Sequence, residues 1–159
     1  MLEPIRPGLS ETIPGCIRIE PTASNVLSSI FSRLPISSDD ILVDIGCGDG
    51  DVIAHWLSMG LRNELIGIEL DQSTFRTTKE RFRQPNVSIR WGNAAVIPPI
   101  GTIYYLFNPF RGQQMVAFDQ AVPKTARIVY YNPTEIAVFK DWKVEEIWST
   151  HPKAVLISR

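Results

Sequence analysis

Residues 41–50 read Ile-Leu-Val-Asp-Ile-Gly-Cys-Gly-Asp-Gly, and this stretch decides the fold class. The apolar run Ile41–Val43 ends at an acid, Asp44, and Gly46, Gly48 and Gly50 then fall at every second position. The pattern describes a buried strand that stops in a tight turn with no side chain on one side. A ligand can approach such a turn to backbone distance, because glycine has no Cβ and tolerates positive φ. From Asp51 to Leu57 the sequence becomes helix-compatible. A strand, a glycine turn and a helix start in succession form the nucleotide cradle of α/β folds.

Outward from this unit, strand-like and helix-like segments alternate. Upstream, Val26, Leu27, Ile30, Phe31 and Leu34 have helical spacing, with Thr22 or Ser24 as the N-cap and Pro35 as the stop. Downstream, the reading predicts strands over Glu64–Leu70, Val87–Trp91, Ile103–Phe107 and Arg127–Tyr131. Helices are expected from Asp51 to Ser58, from a cap at Asp71 or Ser73 to Arg83, over residues 111–121 and over Glu135–Trp142. Residues 93–101 contain Pro98, Pro99 and Gly101, which leave little room for a helix. The chain ends in two strands, Lys143–Thr150 and Lys153–Ser158. Their joint at His151-Pro152 is too short for a parallel crossover, so they form an antiparallel hairpin. The expected fold is a doubly wound, mostly parallel α/β sheet with helices on both faces. Residues 1–20 read as a proline-rich extended arm and residues 21–159 as a Rossmann-like core, together one domain.

The turn favours a cationic ligand over a dinucleotide. A pyrophosphate site spaces its glycines G-x-G-x-x-G, with the third on the helix. Here the spacing is G-x-G-x-G, and the carboxylates Asp44 and Asp49 would repel a diphosphate. S-adenosyl-L-methionine has no phosphate and carries a sulfonium and an ammonium group, so acidic neighbours suit it. The stretch resembles motif I of the class I S-adenosylmethionine-dependent methyltransferases, D/E-x-G-x-G-x-G, with Asp44, Gly46, Gly48 and Gly50 at the fixed positions. The resemblance covers most of residues 22–159. It implies a seven-stranded sheet in the order 3-2-1-4-5-7-6, S-adenosylmethionine as methyl donor and S-adenosylhomocysteine as product.

The resemblance also assigns the strand ends. Asp44 matches the acid that faces the methionine end of the donor. Glu69, about twenty residues past the glycine turn, stands where an acid takes the ribose hydroxyls. Asn93, after Trp91-Gly92, replaces the acid that accepts from the adenine amino group, a plain helix cap being the other reading of it, and residues 96–99 supply an apolar wall beside the ring. Cofactor binding is thus expected from Asp44, Gly46, Gly48, Glu69 and Asn93. Thr22 is read as a helix cap in preference to a ligand for the methionine carboxylate. Asn108-Pro109-Phe110 is a shortened form of the motif (Asn/Asp)-Pro-Pro-(Tyr/Phe), which implies catalytic positions at Asn108, Pro109 and Phe110 and N-methylation of an amine or amide. An X-Pro strand terminator is the other reading of the same three residues. Strand five ends in a near copy, Tyr130-Tyr131-Asn132-Pro133. All four tyrosines of the chain lie in these two strands, half of them on each face.

Composition sets outer bounds. A net charge of −1 gives no global basic excess for a long nucleic acid. Arg76, Lys79, Arg81, Arg83 and Arg90 fall close together and read as a solvated helix face with its exit loop. Cys16 and Cys47 fit no metal spacing, and Cys47 packs as a small side chain under the turn. No run of signal-peptide or membrane-span length is present, so a cytoplasmic location is expected. The acceptor class stays open among protein amine, metabolite and nucleobase. Two rivals remain: a module that binds the donor and transfers nothing, and a nicotinamide oxidoreductase, which the glycine spacing disfavours.

Overall fold

The computed structural model describes residues 21–159, so the expected arm over residues 1–20, with Cys16, lies outside the described residues. Seven strands form one sheet: β1 (Ile41–Ile45), β2 (Glu64–Glu69), β3 (Val87–Trp91), β4 (Ile103–Leu106), β5 (Arg127–Tyr131), β6 (Lys143–Trp148) and β7 (Ala154–Ser158). Their order is β3-β2-β1-β4-β5-β7-β6. The first five are parallel, β7 runs antiparallel to β5, and β6 closes the hairpin on β7. This is the expected architecture, hairpin included.

The central strands are apolar runs because both sheet faces are covered. One face buries Leu42, Tyr105 and Val129 under three helices, α1 (Ser24–Phe31), α2 (Asp51–Ser58) and α3 (Gln72–Arg81). Leu27, Ile30 and Phe31 of α1 and Val52, Ile53 and Trp56 of α2 supply that layer, and the Phe31 ring meets Trp56 edge-on at 5.5 Å. The other face buries Val43, Ile45, Tyr104 and Tyr130 under α4 (Gln113–Ala121) and a 3-10 turn over Ile136–Phe139. The tyrosines divide as the period-two rule requires: Tyr104 and Tyr130 below, Tyr105 and Tyr131 above.

Two local expectations change. Thr22 is not the cap of α1; Ala23 holds the N-cap position without a side-chain bond, and the Thr22 hydroxyl bonds the Tyr105 hydroxyl at 2.6 Å. The helix expected over Glu135–Trp142 contracts to the four-residue 3-10 turn. Asp71 does cap α3, accepting from the Thr74 amide at 2.8 Å. Among the described residues no helix is long and apolar enough to cross a membrane.

Candidate active site at the carboxyl rim of the sheet

The glycine turn leaves β1 at the carboxyl rim and is tied there by backbone. The amides of Gly46 and Cys47 both donate to the Ile68 carbonyl of β2, at 2.9 and 3.0 Å. Gly46, Gly48 and Gly50 all have positive φ, 73°, 50° and 83°. Gly48 faces open space: a Cβ built there meets nothing within 4 Å. Gly50 is closed in, since a Cβ there would stand 2.4 Å from the Phe82 ring. One glycine therefore leaves room outside the turn, and the other lets α3 pack beneath it. Thr78 of α3 locks the arrangement by donating to the Gly48 carbonyl at 2.6 Å.

Glu69 at the end of β2 reaches across to this turn. Its Oε2 accepts from the Gly48 amide at 3.0 Å and its Oε1 from the Asp71 amide at 2.8 Å. Burial pushes the Glu69 carboxyl above its usual range, against the pull of these two amides. Each oxygen keeps a further lone pair, so the fixed carboxylate can still take hydroxyl donors.

Asp44 sits on the α1–α2 face beside Tyr105, its register partner on β4. It is 3% exposed, and its Oδ2 has no hydrogen-bond partner. Burial pushes its carboxyl up to about 8, and the charges of Glu69 and Asp51 add to the rise. Among the described residues no lysine or arginine pairs with Asp44 or Glu69. Arg81 is held by Asp51 at 2.9 Å and by the Asp49 carbonyl at 2.5 Å. A cleft of about 330 Å³ between α1 and α2 is lined by Thr22, Ser24, Leu27, Asp51, Ala54, His55 and Ser58.

Asn93 follows β3 and uses its Oδ1 to accept from the Ala95 amide at 3.0 Å, as a loop cap does. Val96 and Ile97, in the segment expected to wall an adenine, are 58% and 77% exposed.

At the end of β4 the side chains take other work than expected. Asn108 adopts φ 46°, and its Oδ1 receives the Tyr130 hydroxyl at 2.7 Å and the Thr134 hydroxyl at 2.9 Å. Its Nδ2 donates to the Asn132 carbonyl at 2.7 Å. The amide thus braces the end of β4 against the loop after β5. Pro109 is buried. Phe110, expected to stack on a substrate, is buried against Phe118 at 5.6 Å on the α4 side. The half-buried ring at this rim is Phe107, which meets Tyr131 edge-on at 4.9 Å. Phe107 is a ring at this rim that the sequence reading did not single out. Counting in twos from Tyr105 places it on the Asp44 face, a signal hidden by the motif that starts one residue later.

Solved structures share the fold of this chain. The precorrin-6y C5,15-methyltransferase of Geobacter metallireducens aligns with a TM-score of 0.64 at 16% identity, over 94% of this chain and 95% of that one. The rRNA methyltransferase aviRa of Streptomyces viridochromogenes aligns at 0.60 and 14% identity, over 97% and 93%. A methyltransferase of Thiobacillus denitrificans in complex with S-adenosylhomocysteine aligns at 0.55 and 18% identity, over 77% and 52%. The chain has the class I S-adenosylmethionine-dependent methyltransferase fold. No family model matches it. Among curated proteins, putative methyltransferase 235L of Invertebrate iridescent virus 6 is 32% identical over 62 residues, 39% of this chain and 23% of that protein. Erythromycin 3''-O-methyltransferase of Saccharopolyspora erythraea is 29% identical over 77 residues, 48% and 25% of the two chains. The matched stretches span about a quarter of either curated relative. In this methyltransferase fold the glycine turn, Glu69 and Asp44 meet at the carboxyl ends of β1 and β2, beside the switch point where β4 departs to the other side.

Proposed function

We propose that the protein is an S-adenosylmethionine-dependent methyltransferase. One observation carries the reading: an open glycine edge at the rim, flanked by a buried carboxyl with an unpartnered oxygen and by a carboxylate fixed on backbone amides. The residues present fit the donor. The open side of Gly48 admits a ligand to backbone distance, Glu69 has lone pairs for ribose hydroxyls, and Asp44 offers an acceptor to an ammonium group. The same acids disfavour the diphosphate of a nicotinamide cofactor. Curated methyltransferases sharing segments of sequence and methyltransferase structures sharing the fold support the reading.

The donor, when bound, supplies an electrophilic methyl group. The chain's own residues supply position and desolvation, which in-line displacement needs most. Asp44, Gly46, Gly48 and Glu69 hold the donor. Asn93 borders the adenine side through its place after β3, its oxygen already serving the Ala95 amide. Asn108, Pro109 and Phe110 shape the acceptor mouth from behind. Phe107 and Tyr131 present the aromatic surface to an acceptor. N-methylation of an amine or amide is the acceptor chemistry proposed, on a protein amine, metabolite or nucleobase. A long nucleic acid is not favoured, given the net charge of −1. The site is proposed to act in the cytoplasm.

Calorimetry with the full chain tests the reading. S-adenosylhomocysteine is expected to bind in the micromolar range and NADH not at all. Binding of NADH without S-adenosylhomocysteine would replace the proposal with an oxidoreductase. Transfer of a labelled methyl group into cell fractions split into RNA, protein and small molecules then identifies the acceptor. Donor binding with no labelled fraction would favour a binding module that transfers nothing.

A further inference from the structure

Asp44 is the most enclosed carboxyl among the described residues, and the groups facing it are acidic or neutral. Glu69 of β2 and Asp51 of α2 act on it as like charges. From the turn comes Cys47, whose thiol is pushed up by burial and by the charges of Asp44, Glu69 and Asp49. From β4 comes Tyr105, already bonded to Thr22 and raised by burial, with Tyr131 of β5 acting on it from the next strand. His55, one turn along α2, favours its neutral form because it is buried. The nearby cation, Arg81, is spent on Asp51 and the Asp49 carbonyl. An ionised Asp44 in these surroundings would leave a buried charge without a counter-ion and one oxygen without a donor.

We propose that donor binding and ionisation of Asp44 are one event. In the free protein the carboxyl keeps its proton; the ligand's ammonium group takes that proton's place, and the proton leaves to solvent. The balance is Asp–COOH plus R–NH₃⁺ giving the ion pair Asp–COO⁻···⁺H₃N–R plus one H⁺ to buffer. No bond to carbon changes and no redox partner is needed. The inference rests on the donor-binding reading, and it goes further by making affinity depend on pH. Between pH 6 and 8 the affinity rises as the competing proton becomes scarcer, by up to about tenfold per pH unit. It levels off once the free carboxyl is itself ionised.

Titration of the full chain with S-adenosylhomocysteine at pH 7, in buffers of different ionisation enthalpy, counts the protons. About one proton released per ligand is expected. 5′-Methylthioadenosine shares the adenosine and lacks the ammonium group, so it should bind without release. That control separates Asp44 from Glu69, which both ligands meet at the ribose. Asp44→Asn should bind S-adenosylhomocysteine without release and with a flat pH profile. Normal binding with no proton released overturns the inference and leaves the donor-binding reading standing. Equal release with methylthioadenosine also overturns it, by assigning the proton elsewhere. Absence of S-adenosylhomocysteine binding overturns both. The two wild-type titrations decide the matter even if the variant does not fold.

Discussion

Gly48 and Gly50 share a sequence pattern and a left-handed backbone, yet their surroundings give opposite expectations. At Gly48 an added methyl group meets nothing within 4 Å, so Gly48→Ala bears only the conformational cost, about 1–2 kcal/mol. The methyl would, however, stand where the ligand is proposed to approach, and S-adenosylhomocysteine affinity should fall tenfold or more. At Gly50 the methyl would press on Phe82 at 2.4 and 2.9 Å, besides the strain of φ 83°. Gly50→Ala should therefore destabilise the fold by about 2–4 kcal/mol. Denaturant melts and calorimetry on both variants separate the effects. A Gly48→Ala protein with unchanged affinity would refute the close approach at that glycine.

At the scale of the element, the decisive object is the end of β4. Asn108 holds it to the loop after β5 through bonds to Tyr130, Thr134 and the Asn132 carbonyl. Asn108→Ala removes all three and leaves an alanine at φ 46°, so a loss of about 2–4 kcal/mol is expected, read from chemical denaturation. Donor affinity should change less than twofold, because none of these bonds touches the glycine turn. Phe107→Ala should leave donor affinity similarly intact while raising the KM for the acceptor once that is identified. The pair of variants distinguishes a brace from a contact surface. The same element shows what sequence makes legible. β1 and β5 lie where their apolar runs place them, because strands covered on both faces are mostly apolar, and the edge strand β3 lies where its partial alternation places it. β4 stops at Leu106, one residue early, because the left-handed Asn108 turns the chain before the apolar run is spent. The backbone then changes direction across Pro109 and carries Phe110 into the α4 layer, which a motif written in one dimension does not reveal. Thr22 was illegible for a different reason: its partner Tyr105 lies 83 residues away, and local capping rules say nothing about such contacts.

For the whole molecule, the buried acid couples stability to pH. The Asp44 carboxyl lies at about 8 in the folded chain and near 4 in an unfolded one, so between these values the folded state binds more protons. Its contribution is fully present below pH 4 and is lost as pH rises, by about 1.4 kcal/mol per pH unit, until the folded carboxyl ionises near pH 8. Asp40 has the opposite sign. Burial would raise its pKa, but bonds from Ser37 and Thr102 and the Arg127 charge outweigh that and hold it below its usual range. Its contribution is lost on acidification, so the comparison must be made against Asp44→Asn, in which only one group differs. The free wild-type protein should lose stability relative to that variant from pH 5 to 8. With saturating S-adenosylhomocysteine the slope from Asp44 should vanish, because the bound carboxylate is paired with the ligand's ammonium group. The ligand-induced shift in melting temperature must then grow with pH. At a hundredfold excess over Kd the ligand adds about 2.7 kcal/mol, or about 5–10 °C for a chain of this size. Because Kd itself falls as pH rises, a fixed ligand concentration should give a larger shift at pH 8 than at pH 6. A shift independent of pH would mean that the unpartnered oxygen of Asp44 is already satisfied in the free protein, and that the rim recognises its ligand through Glu69 and the glycine edge alone.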